Sequence, residues 1–174
     1  MTHRRRLIFL ATASAIPLIA LATAACGGGG GNATAAAPLP TTSGQAATIG
    51  VGRTNLGTIL IGPQGRTLYL FKSDSSKHST CMGACAVAWP PLLTNGKPTV
   101  GNGANGSLVG TITRPDGTTQ VTYNGHPVYR FANDHQPGET NGQGLTAFGA
   151  AWFALTPSGN QASGPAANSG SSGY

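Results

Sequence analysis

The sequence predicts a mainly β fold: a small antiparallel β domain of two pseudo-symmetric repeats, with one short helix near Ala84–Trp89. Three observations carry this expectation. The stretch Gly65-Arg66-Thr67-Leu68-Tyr69-Leu70-Phe71-Lys72-Ser73-Asp74 returns sixty residues later as Gly125-His126-Pro127-Val128-Tyr129-Arg130-Phe131-Ala132-Asn133-Asp134, with Gly, Tyr, Phe and Asp in register. Each copy is followed by a nine-residue segment of mostly small residues ending in tryptophan, Cys81 to Trp89 and Gly144 to Trp152. Short β-branched runs bounded by turn residues recur, and sustained helical periodicity is missing. One such repeat cannot bury its apolar face alone, so the two are expected to share a core.

Residues 1–25 read as a signal peptide. His3-Arg4-Arg5-Arg6 is a positive n-region, Leu7 to Leu21 is apolar, and Ala22-Thr23-Ala24-Ala25 supplies the small residues before a cut. The apolar run is 15 residues, short of the about 20 that a membrane span needs. Small residues followed by Cys26 resemble a bacterial lipobox, although Thr23 stands where Leu is commonest. In such signals the Cys thiol receives a diacylglycerol and becomes the new N-terminus. Cys26 is therefore the expected lipidation site, and two or three acyl chains anchor stably where one is marginal. The location this implies is the extracytoplasmic face of the cell membrane.

From Cys26 the composition changes. Five glycines, Gly27 to Gly31, open a run of Ala, Thr, Pro, Ser and Gly, so residues 26–53 are expected to form a flexible tether. The folded domain is expected over 54–158, with repeats at about 55–95 and 108–157. Leu56 to Ile61 is a short strand, and Gly62-Pro63-Gln64-Gly65 is a turn. Thr67 to Lys72 is a strand apolar on both faces and hence central. Ala84 to Trp89 can form a turn or two of helix before Pro90-Pro91. In the second repeat Leu108 to Thr113 echoes the opening strand. Asn124-Gly125 is a strong two-residue hairpin signal between Gln120–Tyr123 and Pro127–Phe131. Arg130 replaces Leu70, so that face is expected to be wetter, with Arg130 meeting solvent. Ala151 to Leu155 is the closing strand, and residues 159–174 read as a disordered tail.

Thr67-Leu68-Tyr69-Leu70-Phe71, Cys81 to Leu92, Val121 to Tyr129 and Pro137 to Gly144 together resemble the bacterial secreted-repeat lipoproteins. The resemblance covers about residues 55–157. It implies a surface lipoprotein with a two-unit β repeat. The family is described as of unknown function, so no catalytic residue carries over.

Composition excludes several classes. Only 8% of residues are charged, and Gly and Pro number 27 and 12, which fits an exported chain with neutral linkers. The formal charge is +6, but with Arg4, Arg5 and Arg6 set aside seven basic residues face four acidic ones. That is too weak and scattered for a nucleic-acid footprint. No Gly-x-Ser-x-Gly elbow and no phosphate loop is present. No enzyme is therefore expected. A non-enzymatic binding or structural role is expected instead, in a monomer that touches the membrane through its anchor and meets an envelope protein or a cell-wall polymer.

Cys81 and Cys85 are expected to form a disulfide, since exported thiols usually pair and three intervening residues can bring the Cα atoms close enough. The alternative is an extracytoplasmic redox or metal protein. In it His78, Cys81, Met82 and Cys85, all within eight residues, supply thiolate, thioether and imidazole ligands suited to copper, or an axial ligand to a haem. Trp89, Trp152, Tyr69 and Tyr129 form matching aromatic sets. A shared core is the expected use; an exposed groove for glycan or peptide is the alternative. Asp74 and Asp134 are expected to accept backbone N–H bonds of the turns that follow them, and His126 to face solvent at its hairpin.

Overall fold

The computed structural model describes residues 44–164, and in it the chain enters the fold earlier than its composition suggests. Strand β1 (Thr48–Thr54) pairs antiparallel with β2 (Gly57–Ile61), in register from Gly50↔Ile61 to Thr54↔Gly57. The tether boundary at residue 53 is thus corrected. Ile49 is fully buried, and the glycines that read as linker lie beneath Ile61. A Cβ at Gly52 would come within 3.1 Å of the Ile61 side chain. The far boundary moves too. Leu155 bridges Gln161, and Ala162 is buried with its N–H donating to the Ala154 carbonyl at 2.7 Å. The fold therefore continues past Ser158. Residues 1–43 and 165–174, and with them Cys26, the signal segment and most of the tether, lie outside the described residues.

A 3-10 turn at Pro63–Gly65 leads to β3 (Tyr69–Phe71), helix α1 (Ala84–Ala88) and β4 (Thr99–Val100), which runs parallel to β1. The second repeat supplies β5 (Val109–Thr113), β6 (Thr119–Tyr123), β7 (His126–Pro127), β8 (Thr146–Ala147) and β9 (Ala150–Ala154). They form three small sheets, in the orders β2-β1-β4, β3-β9-β8 and β5-β6-β7. Apart from β1 with β4, the strand pairs are antiparallel.

The two motif copies meet each other. Tyr69 N–H donates to the Tyr129 carbonyl at 2.9 Å, and Tyr129 N–H donates to the Tyr69 carbonyl at 3.0 Å. Around this pair the backbone bonds come in twos. Leu68 N–H to Leu60 O is matched by Val128 to Val121, both 3.1 Å. Lys72 N–H to Ala151 O at 3.0 Å is matched by Ala132 to Ala88 at 2.9 Å. A pseudo-two-fold axis therefore passes between the tyrosines.

The symmetry breaks where the sequences diverge. In the first repeat Ala84-Cys85-Ala86-Val87-Ala88 is helical, entered through Gly83 at φ 57° and stopped before Pro90-Pro91. In the second, Phe148 and Gly149 take φ of 56° and 91°. That two-residue turn suits a hairpin, so β8 and β9 stand where the first repeat has a helix.

Alternation along the motif strands fills two cores. Tyr69, Phe71, Tyr129 and Phe131 join Trp89, Trp152, Cys81 and Cys85 in one; Leu68, Leu70 and Val128 join Ile49, Leu60, Leu92, Val121 and Leu155 in the other. Thr67 to Phe71 is thus covered on both faces, as expected, while Lys72 at its end is exposed. The expectation for Arg130 is corrected. It is half-buried, and its Nε is closed to solvent with no hydrogen-bond partner. The Val128 face on which it lies packs on the second core, so Arg130 reaches solvent with only part of its length.

The first core is a four-ring stack. Phe71 lies on Trp152 at 4.0 Å, Trp152 on Trp89 at 3.9 Å, and Trp89 on Phe131 at 4.2 Å between centroids. Each outer phenylalanine stacks on the tryptophan of the other repeat. Removing either opens a cavity at one end of the same stack, so Phe71→Ala and Phe131→Ala should each cost about 3–5 kcal/mol. Urea melts of the two variants measure this; a loss confined to one of them would contradict the equivalence of the repeats.

Candidate functional site

Tyrosine hydroxyls at the pseudo-axis need acceptors, because burial leaves an unpaired O–H costly. Each finds one in the opposite repeat. Tyr69 donates to Asp134 Oδ2 at 2.7 Å, and Tyr129 donates to Asp74 Oδ2 at 2.5 Å. The other carboxylate oxygens hold the local turns. Asp74 Oδ1 accepts from Thr80 N–H at 2.7 Å, and Asp134 Oδ1 accepts from Asn141 N–H at 2.9 Å. The turn-capping role expected of both aspartates is present. The bond from the partner repeat is the part the spacing did not reveal.

The electrostatics follow from burial. Desolvation raises both phenol pKa values well above the ordinary range, and the facing carboxylates push the same way. Both tyrosines therefore act as fixed donors. Desolvation also raises Asp134, to about 6, against the opposing pull of the Tyr69 and Asn141 bonds. His126 is half-buried in β7 rather than solvent-facing. Burial, then the charge of Lys72, lowers its pKa.

A second cluster lies beside Tyr129. Arg114 is 3% exposed, yet all five of its N–H directions are used. Nη1 donates to Ser79 Oγ at 2.7 Å and Gln120 Oε1 at 2.6 Å; Nη2 donates to the Cys81 carbonyl at 2.7 Å and Met82 Sδ at 2.9 Å; Nε faces Asp116 at 3.5 Å. Ser79 Oγ in turn lies 2.7 Å from the Tyr129 hydroxyl. Arg114 thereby ties the β5–β6 hairpin to the disulfide loop.

The Cys81–Cys85 bond is formed, with a Cα separation of 5.2 Å, and both residues are buried. This bears on the metal alternative. The two sulfurs are bonded to each other, Met82 Sδ accepts from Arg114, and His78 is exposed in a turn with its backbone paired to Ser75. Among the described residues no group of three or more His, Cys, Asp or Glu is placed to hold a metal ion. Three of the four residues named for copper are thus engaged within the fold, Cys81 and Cys85 with each other and Met82 with Arg114. The aromatic groove is corrected as well. Trp89, Trp152, Tyr69 and Tyr129 are at most 1% exposed; they are core, not a surface on which glycan or peptide lies.

Two features carried no signal in the residue pattern. One is a cleft of about 380 Å³ along the free edge of β5, lined by Lys97, Val100, Gly106, Val109, Thr111 and Thr119. The other is the approach of Arg66 to Arg130, whose pKa is lowered by burial first and then by the Arg66 charge.

With this geometry in place, comparison with known proteins is informative on one point. The lipoprotein family described as a secreted repeat of unknown function matches residues 50–93 and again 110–156. The chain belongs to that family. The two matched segments are the two halves related by the pseudo-two-fold axis, which agrees with the repeat read from the sequence. No curated protein and no solved structure matches.

Two outcomes follow for the tyrosine–aspartate exchange. Tyr69→Phe leaves a buried carboxylate short of a donor and should cost about 1–3 kcal/mol, with Tyr129→Phe less costly because Ser79 remains near; thermal or urea unfolding measures both. The second concerns pH. The folded pKa of Asp134, about 6, lies above its ordinary 3.8, so the folded state binds this proton more tightly than the unfolded one. Its stabilising contribution is complete below about pH 4 and is lost as pH rises through about 6. The stability of the wild type relative to Asp134→Asn should therefore fall by roughly 2 kcal/mol between pH 4 and pH 7. A flat difference would show that Asp134 titrates normally.

Proposed function

We propose that this protein is a lipid-anchored component of the cell envelope, held at the extracytoplasmic face through Cys26 and acting by binding or structure rather than by catalysis. The family supports the coarser part of this reading, since its members are secreted lipoprotein repeats. The finer part rests on the N-terminal pattern and on one observation about the domain. The side chains that most readily do chemistry are spent on the fold: Cys81 with Cys85 closes a loop of the first repeat, and Tyr69 with Asp134 and Tyr129 with Asp74 join the two repeats. The surface contacts are then an envelope protein or a cell-wall polymer, met by a monomer on its tether, with no role for nucleic acid. An exchange of internal hydrogen bonds this complete suits a rigid platform, in which binding groups are placed by the scaffold and cost little to order.

The anchor is the part to test first. Cells fed a labelled fatty acid should incorporate it into the wild-type protein and not into Cys26→Ser, and the variant should leave the membrane fraction. Equal labelling of the two would overturn the assignment of Cys26.

A further inference from the structure

Arg130 stands where the first repeat has Leu70. Leu70 is 2% exposed in the second core, and a guanidinium in the matching place has lost water without a full set of partners. Its Nε is buried and unbonded. Buried donors in folded proteins are almost always paired, so an orphan of this kind calls for an explanation.

The register supplies the neighbour. The mutual Tyr69–Tyr129 bonds put Arg130 across from Leu68. By alternation Arg66 lies two residues further along on the same side, and its charge is felt at Arg130. Both side chains are half-buried and so reach solvent with part of their length. The carboxylates nearest Arg66 are already engaged. Asp134 takes Tyr69 and Asn141, and the Glu139 carboxylate takes the backbone N–H groups of His135 and Gln136. Among the described residues the contact ion pair formed is Arg114–Asp116; Arg66 feels the charges of Asp134 and Glu139 without pairing directly with either, and no carboxylate pairs with Arg130. Two like charges side by side, one with a buried free N–H, are unfavourable alone. An oxyanion that takes both guanidinium forks relieves the repulsion and gives that N–H an acceptor.

We propose that Arg66 and Arg130 form a binding site for an oxyanion of the phosphate class, either a free phosphate ester or the headgroup of an anionic lipid. A phosphate presents its oxygens on a tetrahedron and can meet two guanidinium forks, and the chain's own carboxylates leave Arg130 unpaired. The site is independent of the acyl anchor, so it stands or falls apart from the assignment of Cys26.

The test uses the full chain carrying Cys26→Ser, so that acylation cannot report. Inorganic phosphate is titrated at constant ionic strength while the Arg130 Nε–H resonance is followed by nitrogen-resolved NMR. The expected result is a saturable shift that chloride does not reproduce, with the dissociation constant raised about tenfold or more in Arg66→Gln. Arg66 is outside both cores, so this variant should fold, and its unfolding midpoint checks that it does. Phosphate should raise the midpoint of the parent and not of Arg66→Gln. A shift no larger than that given by chloride, or one unchanged by Arg66→Gln, overturns the proposal. Co-sedimentation with phosphatidylglycerol vesicles, against phosphatidylcholine, identifies the source. Retention that depends on Arg66 assigns a lipid headgroup; phosphate binding without retention assigns a soluble ester.

Discussion

Everything in this domain depends on the hydrogen-bonded pair that Tyr69 and Tyr129 make with each other. It fixes the register of the two motif copies, and register fixes facing. Once these residues are opposite, the odd-numbered aromatics of both strands must enter one core and the even-numbered aliphatics the other. The hydroxyls are then carried past the axis to the aspartate of the other repeat. The two repeats are not neighbours in contact but halves that complete one another: neither owns the acceptor for its own tyrosine.

The tryptophan stack makes this dependence energetic. Each tryptophan contributes one face to the opposite repeat's phenylalanine and one to its twin, while its own repeat's tyrosine meets it edge-on at 5.4 or 5.2 Å. Aromatic pairs of this kind add to area burial, and here none of the face-to-face ones lies within a single repeat. Approach is tight: a Cβ at Gly142 would fall 2.7 Å from the Trp89 ring. That glycine is needed for space, not for an unusual backbone angle.

Much of this was legible in the sequence because repetition exposes it. Matching Gly, Tyr, Phe and Asp at one spacing marked the strands, their equivalence and the two-faced burial of Thr67 to Phe71, and the spacing of Cys81 and Cys85 allowed their bond. What was hidden falls into two kinds. Boundaries were hidden because Gly50 and Gly52 look like linker until Ile61 is seen lying over them. Long-range polar pairing was hidden because no local pattern marks it: Asp74 and Asp134 look like turn caps, and Arg114 looks like one more loop cation. The aromatic groove failed for a simpler reason. Composition cannot say whether an aromatic faces water, and here the symmetric contacts had already claimed all four rings.

Pseudo-symmetry also sorts the residues by the kind of explanation they require. Positions that match across the axis are accounted for by folding alone, since both copies need them to close the same core. Positions that differ are not. Gln120 stands where the first repeat has Ile59; both are fully buried. The exchange is explained within the fold, because Gln120 accepts from Arg114 and donates to the Val128 carbonyl at 3.0 Å. The disulfide is explained likewise, as the closure of a helical loop that the second repeat replaces with a hairpin. Arg130 in place of Leu70 has no such internal partner. A buried leucine would serve the core better there, and the arginine leaves a donor unmet. A substitution that costs the fold and is not repaired by it points outward, to something the domain meets.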